Sequence, residues 1–184
     1  MPITLNGSTG AVTGLAALPD SAMASGSIIQ VVSATKTDHF TTTAAAASPA
    51  AVTGLAVTIT PSSTSNKILL IAHIGVTSTT NNDYSSYFYF YKGGSVLTGA
   101  IGDAVSTTRR VSFSSRSSNK NHNNSASGQY LDSPSSTSAL TYQIYCSVQS
   151  SGGSATVNRD GDSSQSGDAR PSGISTLTAM EVAG

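Results

Sequence analysis

The chain has 184 residues and a mass of 18.5 kDa, the size of one compact domain with a short appendage. Nine Lys and Arg residues balance nine Asp and Glu residues, so there is no excess positive charge to attract nucleic acid or an anionic membrane. Serine and threonine number 57, whereas glutamate occurs once. This composition lacks the Ala, Glu, Lys and Leu surplus of exposed helices and favours an all-β protein.

The chain carries no recognisable membrane or export signal. No apolar run approaches the roughly 20 residues of a membrane span, and the first ten residues lack the basic start and apolar stretch of a secretory signal. A single cysteine, Cys146, lies in an apolar run, where a buried, inert thiol is expected. We therefore expect a soluble protein that is synthesised in a cytoplasm.

Residues 1–27 differ in composition from the rest of the chain. They are rich in Gly, Ala and Ser and contain only isolated large apolar residues. Regular strand patterning begins only at Ile28. We therefore divide the chain into an extended N-terminal attachment or linker segment, 1–27, and a folded domain, 28–184.

From Ile28 onward, runs of five to nine residues alternate with Gly, Pro, Asn and Ser clusters, which is typical of successive β-strands. The segment LAVTIT places Leu55, Val57 and Ile59 on one face, and KILLIAHIGV is apolar on both faces, as in a central strand covered on both sides. The pattern predicts an antiparallel, jelly-roll-like β-sandwich of nine to eleven strands. The predicted strands are 28–34, 38–43, 52–60, 67–76, 87–92, 96–101, 109–114, 128–131, 141–148, 155–158 and 175–182.

Three polar stretches, 78–86, 114–127 and 160–172, are interpreted as loops, where binding sites usually lie. Their Asn, Ser and Asp side chains are able to hydrogen-bond the hydroxyls of a glycan, and one aromatic ring is able to stack on a sugar. The alternative is that these loops are simply solvated. The candidate receptor contacts are Tyr84, Asn119, His122, Asn124, Asp160, Asp162 and Asp168.

The run SSYFYFYKGG is the main aromatic concentration. Strand alternation places Tyr87, Tyr89 and Tyr91 on one face and Phe88 and Phe90 on the other, toward the core. A tyrosine face of this kind packs against a neighbouring subunit or stacks sugar rings. We favour packing against a subunit and name the three tyrosines as subunit-interface candidates.

The residues required for catalysis are scarce. Glu181 is the only glutamate and is interpreted as an edge or interface carboxylate. No histidine has a second His or Cys at metal-ligand spacing; we expect His73 to be a hydrogen-bonded core or interface residue. The acidic segment that begins at Asp160 does not have the ligand spacing of an EF-hand, and Asp–Arg pairing is the competing interpretation. We predict no catalytic site, metal or cofactor.

Several segments resemble a recurrent class of bacteriophage virion proteins, namely MPITLNGSTG, GSIIQVVSATKTD, VTGLAVTITPSSTSNKILLIAHI, YLDSPSS and ISTLTAMEVAG. The resemblance covers nearly the whole chain and is to tail-fibre or tail-associated proteins of phages, including marine and cyanobacterial ones. It implies a homotrimer in the virion tail, with an N-terminal piece docked on other tail proteins and a β-sandwich presented outward to the host surface.

Three alternatives remain beside this interpretation. The chain is a virion structural or decoration protein without receptor contact, a monomeric carbohydrate-binding module, or a polysaccharide-cleaving fibre enzyme. The third is disfavoured by the scarcity of carboxylates. The second leaves residues 1–27 unexplained.

Overall fold

A computed structural model of the chain describes residues 23–162 and 171–184 and the backbone of 4–5 and 12–13. The two N-terminal pieces are short strands, β1 (Thr4–Leu5) and β2 (Val12–Thr13), which pair antiparallel. A small strand pair therefore lies within the segment for which the sequence predicts only a linker.

Eleven further strands lie in the described part of residues 28–184, the upper limit of the predicted number. Among the described residues there is no helix long and apolar enough to cross a membrane. The strands are β3 (Ile28–Lys36), β4 (Phe40–Thr42), β5 (Ala50–Ile59), β6 (Lys67–Thr79), β7 (Tyr84–Lys92), β8 (Ser95–Val96), β9 (Phe113–Ser117), β10 (Asn124–Asp132), β11 (Leu140–Val148), β12 (Ala155–Val157) and β13 (Ser175–Val182).

These strands form two antiparallel sheets. In the first, β10 and β13 flank β6, β12 continues along the β13 side of β6, and β3 and β4 pair with β13 and β12. In the second, the order is β5, β11, β7, and both β8 and β9 pair with the outer edge of β7. Each sheet is thus about four strands wide, and the chain alternates between them in the manner of a jelly roll, which confirms the predicted fold class.

Strand alternation determines which side chains fill the space between the sheets. On β5, Leu55, Val57 and Ile59 are buried, as predicted, and on β7 the buried residues Phe88 and Phe90 face the core while the intervening tyrosines face outward. Burying each such side chain stabilises the fold by about 1.5–3 kcal/mol. The apolar core therefore follows directly from the two-residue period of the sequence.

The two polar stretches predicted as the loops 78–86 and 114–127 are mostly strand, so that prediction is wrong. The actual loops are only 80–83 and 118–123. Ser78 and Ser117 are buried, and their hydroxyl oxygens lie 3.0 Å apart. Hydroxyl groups are tolerated between the sheets here because each finds a hydrogen-bond partner.

The predicted strand 96–101 is also wrong, because only Ser95–Val96 pair before the chain forms a 3-10 turn, Thr98–Ala100. A Cβ atom at Gly99 would lie 2.3 Å from the hydroxyl oxygen of Tyr130, so a larger residue at this position would require the Tyr130 side chain to move. The next strand begins at Phe113 and not at 109 as predicted.

Glu181 does not lie at a sheet edge, contrary to our expectation. Strand β13 pairs with β3 on one side and β6 on the other, and Glu181 is fully buried. Its carboxylate accepts hydrogen bonds from the side chains of Gln30 and Asn66 and from both the backbone N–H and the hydroxyl of Ser62. The residue is a structural acceptor within one chain.

Strand β6 is central in its sheet, as predicted, but only one of its faces is covered within a single chain. Ile68, Leu70, Ala72 and Ile74 are completely buried, whereas the outward residues between 67 and 75 remain partly exposed. His73 belongs to this outward set, so the core alternative for this residue is wrong. Its Nδ1 lies 2.9 Å from the hydroxyl oxygen of Ser127.

The sandwich has two distinct ends. At the entry end, Ile28 begins β3 beside the start of β6 and the end of β13. At the loop end, β6 finishes and the chain turns through 80–83. The 13 residues of β6 separate the two ends by about 40 Å. The chain therefore enters the sandwich at the end opposite these loops.

Candidate functional site

The loop end brings together three connections that are far apart in sequence, residues 80–83, 118–123 and 158–162. The backbone N–H of Lys120 donates to the side-chain oxygen of Asn82 at 3.2 Å, and the N–H of Gly161 donates to the Lys120 carbonyl at 2.8 Å. One residue of the middle connection thus joins the other two. The result is a single polar surface at the loop end.

Local hydrogen bonds fix the shape of the middle connection. The side-chain oxygen of Asn119 accepts from the N–H of Asn121 at 2.9 Å, while the Asn119 carbonyl accepts from the N–H of His122 at 3.0 Å. Asn in this role imitates a backbone turn. In the first connection Asp83 has φ 61°, the left-handed conformation that Asp and Asn tolerate better than most residues.

Charges at the loop end occur in opposite-sign pairs. Arg116 and Asp83 are 3.9 Å apart, and Lys120 and Asp162 are 3.6 Å apart. The first pair is solvent-exposed on both sides and contributes at most about 1 kcal/mol. The effect of the two pairs is to leave these four residues with no net charge, which suits an uncharged polar ligand better than a phosphate-rich one.

Two of the predicted receptor contacts, Asn119 and His122, are exposed. The ring nitrogen Nδ1 of His122 lies 2.8 Å from the hydroxyl oxygen of Ser118, and its other edge adds a polar group to the surface. Tyr84 is half-buried and contacts the neighbouring turn closely, since a Cβ atom on Gly153 would lie 3.0 Å from its ring. These three side chains lie on the surface formed by the loops.

The remaining candidates differ in accessibility. Asn124 is half-buried and donates to the Arg116 carbonyl and the Ser117 hydroxyl, so it ties β10 to β9. Asp162 is also half-buried, in the ion pair described above. Asp160 is only 1% exposed, which makes its side chain unsuitable for contacting a receptor. Asp168 lies outside the described residues.

Four residues of this surface were missed by the sequence analysis. Asn82, Asp83, Arg116 and Lys120 contribute to it because the fold brings the ends of three strand pairs together. The triplet of residues 81–83 is a recognisable turn signal. Nothing in the local sequence, however, indicates that this turn meets Lys120.

The tyrosine face lies on the outside of the second sheet. Tyr89 is only 4% exposed, and its hydroxyl lies 3.3 Å from that of Ser147; burial raises its pKa. Tyr91 stacks on Tyr145 of β11 with ring centroids 3.7 Å apart. Tyr89 and Tyr91 therefore already contact neighbours in the same chain, and Tyr87 and Tyr91 remain half-buried.

The described residues contain no group of three or more His, Cys, Asp or Glu side chains that could hold a metal ion. Cys146 is completely buried, and burial raises the pKa of its thiol, so the reactive thiolate is suppressed. Comparison with models of protein families and with curated protein sequences gave no match to this chain. The loop end is therefore the candidate binding surface, since its amides, hydroxyls and imidazole are suited to hydrogen-bonding a polyol.

Proposed function

We propose that this chain is a structural protein of a bacteriophage tail, a tail fibre or tail-associated protein that contributes to host recognition. Residues 1–27 dock on other tail proteins, and residues 28–184 form the sandwich of a homotrimer. The loop end contacts a host-surface glycan. The chain is made in the cytoplasm of the host bacterium, is assembled into the virion and has no catalytic activity.

The observation that carries this proposal is the separation of the two ends of the sandwich. Residues 1–27 lead into β3 at the entry end, whereas Asn119 and His122 lie exposed at the loop end. A chain anchored through 1–27 would hold its entry end toward the virion and its loop end, about 40 Å away, toward the host. The opposite positions of the two ends support a function in which the protein presents its loop end to the host.

Three copies of the loop end would compensate for weak individual contacts. Hydrogen bonds from exposed amides and an imidazole to sugar hydroxyls are individually weak because water competes for the same groups. If the sites of a trimer engage one surface together, avidity increases by about a hundredfold or more. The paired charges of the loop end are compatible with an uncharged glycan.

The decisive experiment replaces residues 118–123 with a Gly/Ser segment of equal length in phage particles and measures adsorption to host cells. Asn124 is retained because it bonds to β9. The matched control replaces residues 133–139, the connection between β10 and β11 at the entry end. We expect adsorption to fall at least tenfold for the first variant and to remain unchanged for the control.

The outcomes separate the alternatives. Unchanged adsorption of particles that carry the first variant would remove residues 118–123 from the receptor contact and would favour a decoration or structural role. Loss of the protein from particles after deletion of residues 1–27 is expected, and normal incorporation would refute docking through this segment. Shortening of host polysaccharide by the purified protein would refute the non-enzymatic assignment.

A further inference from the structure

The outer face of the first sheet carries an apolar row that crosses four strands in register. Val31 of β3 is opposite Met180 of β13, Met180 is opposite Leu69 of β6, and Leu69 is opposite Leu131 of β10. The two residues at the edges of the sheet are the most exposed, Val31 at 53% and Leu131 at 44%. The row therefore reaches both edges of the face.

Further apolar residues widen this row. Ile28, which is 52% exposed, is opposite Val182 on one side of the row, and Ile71, which is 37% exposed, lies on the other. Ile71 also borders a shallow pocket of about 340 Å³ between β6 and β10. An exposed apolar surface of this extent on a rigid sheet is typical of an interaction site.

The charges of the face indicate what kind of partner covers it. Among the outward residues of β3, β6, β10 and β13, strands that the structure describes in full, only Lys67 and His73 are ionisable; the others are apolar, hydroxyl, amide or glycine. A nucleic acid, an acidic membrane or a charged protein would find almost no opposite charge here. A second face of the same composition is complementary to it.

The area of the face is also sufficient for self-association. Four strands about 4.8 Å apart and eight residues long cover about 19 by 26 Å, or roughly 500 Å² in projection. Side-chain relief makes the accessible area larger than this projection. Three such faces turned toward one axis together contribute roughly 1,500 Å² in projection, which is comparable with the roughly 1,200–2,000 Å² that a specific interface buries in total.

We propose that copies of this chain associate through this face around a three-fold axis, so that Val31 at the β3 edge of one copy contacts Leu131 at the β10 edge of the next. The inference rests on the homotrimer in the proposed function and identifies its interface. A face packed on its own image would close as a dimer, whereas a contact between two different edges propagates to a third copy. The arrangement leaves the loop ends of all three copies pointing the same way.

The first test is the oligomeric state of the full-length V31D/L131D variant, measured by sedimentation equilibrium. Both side chains are exposed in a single chain, so the substitutions leave the monomer fold intact, which circular dichroism verifies. The matched control is V105D, because Val105 is 62% exposed but lies away from this face. We expect the midpoint concentration for trimer dissociation to rise about 100-fold or more for V31D/L131D and to stay unchanged for V105D.

The second test distinguishes a three-fold from a two-fold contact. A V31C/L131C variant is treated with a short thiol cross-linker, with which Cys146 does not react because it is buried. Covalent trimers support the proposal, because each chain is then linked to two neighbours, whereas a two-fold contact yields dimers only. The single variants V31C and L131C are expected to remain largely uncross-linked, because each introduced cysteine then faces Leu131 or Val31 of the neighbouring copy.

Two results would overturn this inference. If the native chain is trimeric and V31D/L131D is equally trimeric, the interface lies elsewhere, for example on the tyrosine face, while the trimer itself stands. If V31C/L131C gives no species larger than a dimer, the three-fold contact between these edges is wrong. Neither result affects the adsorption experiment, so failure of the interface and failure of host recognition remain distinguishable.

Discussion

The two ends of the sandwich interior are closed by different chemistry. At the entry end, two carboxylates are the acceptors. Glu181 accepts hydrogen bonds from three residues. Asp132 accepts from the Lys92 ammonium at 2.8 Å and from the Tyr142 hydroxyl at 2.7 Å. At the loop end, the buried acceptors and donors described next are neutral. Both arrangements satisfy polar groups between the sheets, but Glu181 carries a charge that acid removes, whereas the hydroxyl and amide groups described next are not titrated.

Thr156 and Asn158 are the centre of the neutral arrangement. The hydroxyl of Thr156 accepts from the N–H of Ser78 at 3.0 Å and lies 2.9 Å from the Arg159 carbonyl. Asn158 donates to the carbonyls of Lys36 and Asp38 and accepts from a serine of β13. Short hydroxyl and amide groups thus replace apolar side chains where the sandwich ends, which explains how such a serine- and threonine-rich chain folds.

The largest expected effect comes from removing the buried carboxylate. We expect Glu181→Ala to lower the free energy of unfolding by about 3–5 kcal/mol, because donors on Gln30, Ser62 and Asn66 lose their acceptor. Urea unfolding measures this, with Glu181→Gln as the size-matched control that removes only the charge. A loss below about 1 kcal/mol for the alanine variant would show that water replaces the carboxylate.

At the loop end, Asn158→Ala should cost about 2–4 kcal/mol. The substitution removes three hydrogen bonds, two of them buried, and places alanine at φ 64°, where a Cβ atom is strained. Asn158→Gly relieves the strain and should be about 1 kcal/mol less destabilising. Thermal unfolding of both variants separates the two contributions, and equal stabilities would mean that the backbone is not strained.

A smaller effect is expected for Thr156→Val, about 1–3 kcal/mol, because the buried N–H of Ser78 loses its acceptor. The control is Thr58→Val. Thr58 makes a hydroxyl contact of 2.8 Å with Thr141 on the exposed face, so the same substitution should change stability by less than about 0.5 kcal/mol. Similar losses in the two variants would contradict a special role for the buried network.

The smallest effect is the pH dependence, which should originate mainly at Glu181. Burial alone would raise the pKa of Glu181, but hydrogen bonds from Gln30, Asn66 and Ser62 outweigh it and hold the pKa below its ordinary value of 4.5. Because the folded pKa is lowered, the stabilisation is complete above about pH 4.5 and is lost as the pH falls through the folded pKa. The native chain should therefore unfold at a higher temperature than Glu181→Gln at pH 7, and this difference should shrink as the pH is lowered to 3.

Asp38 provides the control for this acid response. A hydrogen bond from the buried Lys36 ammonium lowers the pKa of its carboxyl, but Asp38 itself is exposed. Its substitution by Asn should leave most of the acid sensitivity in place. The unfolding temperatures of Asp38→Asn and the native chain should therefore not converge at low pH. If they converge as fully as those of Glu181→Gln and the native chain, the acid sensitivity does not originate at the entry end.

Much of the fold was predictable because each strand carries its own signal. The two-residue alternation of β5 and β7 placed their core residues correctly, since every second side chain faces the same sheet surface. The predicted strand boundaries are wrong where hydroxyl residues continue a strand into the interior, as at Ser78 and Ser117. Polarity alone does not distinguish a solvated serine from a buried one whose hydrogen bonds are satisfied.

The candidate site was predictable only in part, for the same physical reason. The sequence by itself determined the all-β class, the composition of the core and the presence of polar turns, because these depend on periodicity and composition within short segments. Only the tertiary structure decided that Lys120 joins three of those turns, that Asp160 is buried and that Val31 and Leu131 lie in one apolar row. Such placements depend on strand register and order, which are set by contacts between residues far apart in the chain.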